Sequence, residues 1–263
     1  MIKKIKKRLK SLYNKHKLLK TYKGNTYHCT VCNSNLNVYL PLPDFYRINA
    51  EIHGYKYFGQ NEHVNVKTYS CPICGSSDRD RMYAEYFKRF VLPKNSKKLL
   101  LHVAPAWKLN DLFLKKHFKV TTTDLMMDGV DYKLDIENME AFNNNTFDYF
   151  ICSHVLEHVA NPDKALKELY RILKPQGLGI IMAPVIPKLE FTLEDKSHTS
   201  EEDRVKYYGQ ADHLRLFSKK DFMSRIENGG FKLIQYDINK FGEEAFNKLG
   251  LKPSSILYIG LKQ

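Results

Sequence analysis

Phe147-Asp-Tyr-Phe-Ile-Cys-Ser-His-Val-Leu-Glu-His-Val159, followed by Arg171-Ile-Leu-Lys-Pro-Gln-Gly177, decides how this chain folds. Apolar and aromatic residues dominate 147–152, which predicts a strand buried in a sheet. Ser153 and His154 then turn the chain polar. A helix is predicted over 163–173. Lys174-Pro-Gln-Gly177 reads as a turn, and 178–183 is a second buried strand. Outward from this unit the alternation continues. Upstream, 98–104, 119–125 and 131–136 read as strands, with a helix over 109–118. Downstream, Ser218 is placed to cap a helix over 219–228, with Asp221 three residues on and Gly229-Gly230 as its stop. Strands are predicted at 231–238 and 256–261. Alternating strands and helices define an α/β domain with a largely parallel sheet covered on both faces.

Charge divides the chain unevenly. The 263 residues carry a net charge of +13, and ten of the 42 Lys and Arg lie in residues 1–23, where there is no acid; 32 basic residues then face 29 acidic ones. The body is nearly neutral, which disfavours a domain-wide groove for nucleic acid. Ile2, Ile5, Leu9, Leu12 and Tyr13 form one face of a basic helix. Such a helix suits an anionic membrane surface, each Lys or Arg contributing about 1 kcal/mol. Packing on its own protein is the alternative, and RNA a further one. No apolar run approaches the roughly 18 residues of a membrane span, and the N-terminus lacks the apolar stretch of a signal peptide. The expected location is the cytoplasm, with peripheral contact at the inner membrane face through residues 1–23.

Cys29-Thr-Val-Cys32 and Cys71-Pro-Ile-Cys74-Gly75 are two knuckles whose four sulfurs, Cys29, Cys32, Cys71 and Cys74, suit one structural Zn²⁺ in a closed tetrahedral site. Asn33 and Gly75 follow the knuckles, where residues tolerant of positive φ belong. Metal would fold a module rich in aromatics (Phe45, Tyr46, Tyr55, Tyr57, Phe58) that could not build a core alone. His28, His53 and His63 lie nearby and read as surface or core histidines. A linking helix is expected over 79–92, ended by Pro93. The domain boundaries drawn are 1–24 for the basic helix, 25–90 for the zinc-ribbon module and linking helix, and 91–263 for the α/β domain.

The quoted stretch resembles class I S-adenosylmethionine-dependent methyltransferases of the type-11 family, whose pattern is F-D-x-apolar-x-x-x-x-V-L-E-H followed by R-x-L-K-P-x-G. The resemblance covers residues 98–183 well and 208–231 loosely. It implies a Rossmann-like seven-stranded sheet with the last strand antiparallel, and S-adenosylmethionine as cofactor. The family usually has an acidic residue and a G-x-G turn after its first strand. Here His102 takes the acidic place, Ala104 replaces a glycine, and Pro105 pre-sets the turn. Asp124, 22 residues beyond His102 and followed by Leu125, stands where a carboxylate reaches ribose hydroxyls; a loop or capping Asp is the plain alternative. By resemblance, Asp135 would accept from the adenine amino group, Ile136 would pack on its ring, and Ser153 and His154 would face the sulfonium. The combination of knuckles, H-x-A-P and G-Q-x-D-H-x-R is similar to zinc-ribbon methyltransferases associated with cell-surface glycan gene clusters.

Residues 184–217 interrupt the fold where such enzymes cover the acceptor. A long insert in a compact domain is usually functional. Tyr208, Gln210, His213 and Arg215 are its candidate substrate contacts. A hydroxyl nucleophile needs a base, for which His213, held by Asp212, is the first candidate and His154 the second. The expected activity is O-methylation of a small or glycan-type hydroxyl acceptor near a membrane. The rivals are an RNA methyltransferase gripping RNA with its zinc module and basic helix, and a non-catalytic binding module on a degenerate fold.

Overall fold

The strand and helix predicted within 147–183 form at the centre of a seven-stranded sheet, but 174–177, expected as a turn, lies inside the unit's last strand, which spans Leu173–Met182 with a bulge against its neighbour. The structure is a computed structural model that describes residues 16–92 and 98–263. The helix expected over 2–13 lies outside the described residues.

In chain order the strands are β1 (Lys23–Cys29), β2 (Ser34–Leu36), β3 (Leu99–Val103), β4 (Lys119–Asp124), β5 (Tyr132–Lys133), β6 (Phe147–Ser153), β7 (Leu173–Met182), β8 (Val185–Ile186), β9 (Phe217–Ser218), β10 (Lys232–Tyr236) and β11 (Leu257–Leu261). The helices are α1 (Asp44–His53), α2 (Asp78–Tyr86), α3 (107–117, with a π turn at its middle), α4 (Pro162–Ile172), α5 (Glu201–Tyr208), α6 (Lys219–Asn228), α7 (Ile238–Phe241) and α8 (Glu243–Leu249). The large sheet has the order β10-β11-β7-β6-β3-β4-β5. β5, β4, β3, β6 and β7 run parallel, and β11 lies antiparallel between β7 and β10. The chain therefore leaves β3 in one direction through β4 and β5, and in the other through β6 and β7. A crevice opens at such a switch beyond the carboxyl ends of the strands.

Local chemistry explains why these elements form. α4 begins at Asn161, whose side chain accepts from the Lys164 N–H, with Pro162 in the first turn. Ala165, Leu166, Leu169 and Ile172 make its buried stripe. Gly179 of β7 admits the Phe150 ring: a Cβ there would sit 2.0 Å from it. The Ser218 cap on α6 forms as expected, accepting from the Asp221 N–H.

Several boundaries differ from expectation. The strand expected over 131–136 shrinks to Tyr132–Lys133 because the Asp131 carboxylate instead accepts from the Thr122 N–H and hydroxyl, both at 2.8 Å. The helix expected over 79–92 is α2, opened by a Ser77/Asp80 capping box, and then a π turn at Phe87–Val91. The 184–217 insert is ordered around the parallel pair β8/β9 and α5. α7 and α8 had no expectation.

One continuous core runs from Cys29, Leu36 and Tyr39 through Tyr83 and Phe87 into the large sheet, so packing does not break at residue 90. Arg81 pins this junction. It is fully buried, stacks 3.7 Å over the Tyr39 ring, and donates to the carbonyls of Leu249 (2.8 Å), Thr68 (2.7 Å), Tyr69 (3.1 Å) and Ser76 (3.1 Å).

Candidate active site

At the carboxyl edge, β3 runs into Ala104, whose φ of 46° is left-handed. The turn that glycine normally makes is kept here by alanine, with the Ala104 N–H donating to the Thr123 carbonyl at 2.8 Å. His102 is buried, 3.5 Å from Asn110 Oδ1, and burial lowers its pKa to about 4. It is neutral and apolar in setting, unlike the acid it replaces. Pro105 is buried beneath the turn. Asp124 Oδ1 accepts from the N–H groups of Met126 and Met127, each at 2.7 Å, which fixes the loop; among the described residues no hydrogen bond reaches Oδ2. Leu125 is exposed beside it. Asp135 Oδ1 accepts from the Glu137 N–H at 2.8 Å, and Ile136 is buried. Ser153 Oγ lies 2.8 Å from the Tyr83 hydroxyl. These residues share one edge of the sheet.

A cavity of about 270 Å³ starts at His154 and runs away from that edge. One wall comes from the segment between the knuckles, with Tyr46, Tyr55, Tyr57 and Tyr69. Tyr208, Gly209 and Gln210 make the opposite wall. Arg79, His154, Glu157, His158 and His213 line its polar end.

At that end Glu157 and His213 are buried, while His154 and His158 keep 19% and 30% of their side-chain surface exposed. His154 has a left-handed φ of 58°. Its Nε2 is 2.9 Å from His63 Nε2 and in contact with the Arg79 guanidinium. Burial, then Arg79, push the His154 pKa well below the usual range, and burial takes His63 down to about 3. A neutral His154 that accepts at Nε2 carries its proton on Nδ1, which points toward Glu157 Oε1 at 3.3 Å. The approach is off the line a hydrogen bond needs, and neither Glu157 oxygen has a partner. Burial raises the Glu157 pKa to about 8. His213 is buried, with Nδ1 3.0 Å from the Tyr208 carbonyl and Nε2 without a partner. Burial lowers its pKa to about 4.

Two expectations are corrected. Asp212 does not hold His213. It is 72% exposed and pairs with His158 Nδ1 at 3.2 Å, because neighbours in this turn point opposite ways. Arg215 does not face an acceptor. It is 1% exposed, and its guanidinium donates to the carbonyls of Leu156 (2.9 Å), Val159 (2.5 Å) and Ala160 (3.2 Å) and to Glu194 (2.7 Å), tying the 156–160 turn to the insert. The cavity's cation is Arg79 instead, which has no carboxylate partner among the described residues. Arg79 and His63 were not expected here, whereas Glu157 and His158 belong to the V-L-E-H motif, where packing and chemistry were equally open readings. The only sequence signal of Arg79 and His63 is polar residues beside knuckle and helix starts, a signal shared with any capped helix.

The four cysteine sulfurs, from the two knuckles that flank the tyrosine-bearing segment in sequence, cluster together. Cys29–Cys74 and Cys32–Cys71 Sγ distances are both 3.8 Å, and all four sulfurs lie within 4.8 Å of one another. Tetrahedral thiolates about 2.3 Å from zinc stand about 3.8 Å apart. Asn33 and Gly75 take the left-handed φ values, 56° and 77°, that the knuckles require.

Residues 111–181, from α3 to β7, match the family model described as a methyltransferase domain. The chain is 28% identical over 123 residues to the mitochondrial 2-methoxy-6-polyprenyl-1,4-benzoquinol methylase of Caenorhabditis elegans, covering 43% of each chain. It is 27% identical over 127 residues to a ubiquinone/menaquinone biosynthesis C-methyltransferase of Hydrogenovibrio crunogenus, covering 44% of this chain and 50% of that protein. The chain thus spans half or less of the length of these curated relatives. Among solved structures it is similar to a SAM-dependent methyltransferase from Archaeoglobus fulgidus (17% identity, TM-score 0.46, 71% of this chain and 95% of that one) and to the [4+2]-cyclase SpnF (16%, 0.48, 85% and 97%).

Proposed function

We propose that the protein is an S-adenosylmethionine-dependent methyltransferase acting on a hydroxyl of a small or glycan-type molecule. The observation that carries this reading is the meeting of two sites at His154: a nucleotide-type edge on one side and an aromatic-walled cavity on the other. The family match over 111–181 supports the cofactor half.

The residues present suit the cofactor. The left-handed turn at Ala104 gives close backbone approach, and the Oδ2 of Asp124 suits a ribose hydroxyl. When bound, S-adenosylmethionine supplies a methyl group on a sulfonium leaving group. The chain's work is alignment, which can contribute roughly 7–11 kcal/mol. His154, held at Nε2 by Arg79 and His63, separates the two sites. The tyrosine walls hold the acceptor ring and exclude water. The acceptor's proton leaves at the polar end of the cavity, where both Glu157 oxygens and His213 Nε2 are buried without a hydrogen bond.

Two relatives carry names of carbon or quinol methylation. An acceptor carbon activated by a neighbouring phenolate would use the same proton-accepting end, so this is the second reading. The small, tyrosine-walled cavity favours either over an RNA acceptor.

The cysteine cluster is proposed to hold one structural zinc, and no step of the reaction runs through it. Residues 1–23 are proposed to contact anionic membrane from the cytoplasmic side; among the described residues no helix is long and apolar enough to cross a membrane. Calorimetry with S-adenosylmethionine and S-adenosylhomocysteine tests the cofactor reading. One site per chain is expected, and no binding of either would overturn it.

A further inference from the structure

We infer that the polar end of the cavity is a second metal site, formed by Glu157, His158 and His213 and taking a divalent ion of the zinc class. One ligand atom from each lies within 4.8 Å of the others. Glu157 Oε1 and His158 Nε2 are 3.9 Å apart. Ligands about 2.1 Å from a tetrahedral ion stand roughly 3.4 Å apart, so small rotations of side chains close the site.

Three features beyond proximity point to an ion. Both histidines are tethered through Nδ1 to main-chain carbonyls, His158 to that of Asp212 at 3.2 Å, with the Asp212 carboxylate beside it, and His213 to that of Tyr208 at 3.0 Å. That fixes each proton on Nδ1 and turns each Nε2 lone pair toward Glu157. Tethering the far nitrogen to a carboxylate or a carbonyl is how metal-binding histidines are oriented. The second feature is the orphaned groups. Glu157 is fully buried, and neither of its oxygens has a hydrogen bond; His213 Nε2 is buried without a partner. Leaving such groups empty costs free energy that an ion would recover. The third is position. Two histidines and one carboxylate leave a coordination place open, and here it faces the cavity.

The cysteine cluster has four ligands and would be closed. This cluster has three and would be open to a substrate oxygen. An acceptor hydroxyl bound there would be acidified, its proton passing to solvent or to a neighbouring base. That role rests on the methyl-transfer reading; ion binding itself does not.

The test reads metal alone. Full-length protein freed of metal under reducing conditions is titrated with Zn²⁺ and Co²⁺, without cofactor or acceptor. Two ions per chain are expected, one giving the thiolate-to-cobalt absorption of the cysteine site and one without it. His158→Ala and His213→Ala should each lose the second ion and keep the first. Glu157→Gln, which keeps the side chain's shape and removes the anionic ligand, should likewise lose the second ion and keep the first. A wild-type chain that takes one ion only, or second-ion binding unchanged in all three variants, overturns the site. Full-length protein that takes up both ions but binds no S-adenosylmethionine in separate calorimetry would instead count against the methyltransferase reading.

Discussion

The cofactor edge and the acceptor cavity meet at one residue, yet they are built in opposite ways. The edge is made of strand ends and the loops that follow them. Ala104, Asp124 and Ser153 stand there because β3, β4 and β6 lie side by side. The cavity is assembled from three distant segments: the tyrosines between the knuckles, the 154–158 turn, and the 208–213 turn. Regular sheet geometry fixes the first. The second depends on packing that joins residues more than a hundred positions apart, with Arg81 and Glu62 as its fasteners. Glu62 is buried, accepting from the Tyr258 hydroxyl (2.5 Å) and Lys219 (2.8 Å). A fold family can therefore keep its edge while acceptor chemistry changes with the cavity.

If the two halves are distinct, variants should separate them. The largest effect is expected at the cavity. His213→Ala should lower turnover by roughly 10²–10⁴-fold, the range for losing a group that handles the acceptor's proton. Its affinity for S-adenosylmethionine should hold within a few-fold, read by steady-state kinetics beside calorimetry.

Next is the joint between the cysteine-bearing segment and the sheet. Arg81→Met strips donors from four carbonyls and should cost about 3–5 kcal/mol in denaturant unfolding. Because the core is continuous, tryptophan fluorescence from Trp107 and far-UV circular dichroism should report one transition. Two separated transitions would mean that the cysteine segment folds on its own.

At the edge, Asp124→Ala should weaken S-adenosylmethionine binding by about 1.5–3 kcal/mol, the loss of charge-assisted bonds to ribose. An unchanged affinity would leave Asp124 as a loop-capping residue alone, holding Met126 and Met127.

The smallest effect concerns pH. His102 has a folded pKa near 4 against 6.5 when unfolded. The unfolded chain takes up the proton first as pH falls, so stability is present above 6.5 and is lost as pH drops toward 4. At pH 5 the loss is roughly 2 kcal/mol for this one group. His102→Asn should flatten the acid limb by that amount relative to wild type; equal slopes would place His102 in water.

Much of the edge was legible in the sequence because strands of apolar and β-branched residues announce themselves and the residue after each strand is then known. Even the missing G-x-G left its position readable: Ala104 makes the left-handed turn a glycine would. The cavity was less legible. Tyr55 and Tyr57 read as filler for a small module, and only the packed structure turns them onto His154 and His213. Asp212 beside His213 suggested a pair, but neighbours in a turn diverge. Arg215 looked like a free cation and is spent on backbone carbonyls, whereas Arg79 was hidden in a run of charges at a helix start. α7 and α8, of four and seven residues, are too short to leave a period.

The most direct test of the central claim is transfer of labelled methyl. Full-length protein is incubated with methyl-labelled S-adenosylmethionine and, separately, with lipid, sugar-nucleotide and RNA fractions. Label should appear in a small-molecule or glycan-bearing fraction, and His213→Ala should cut it by roughly 10²–10⁴-fold while the cofactor still binds. Label in RNA, or bound cofactor whose methyl never leaves in any fraction, would contradict the account.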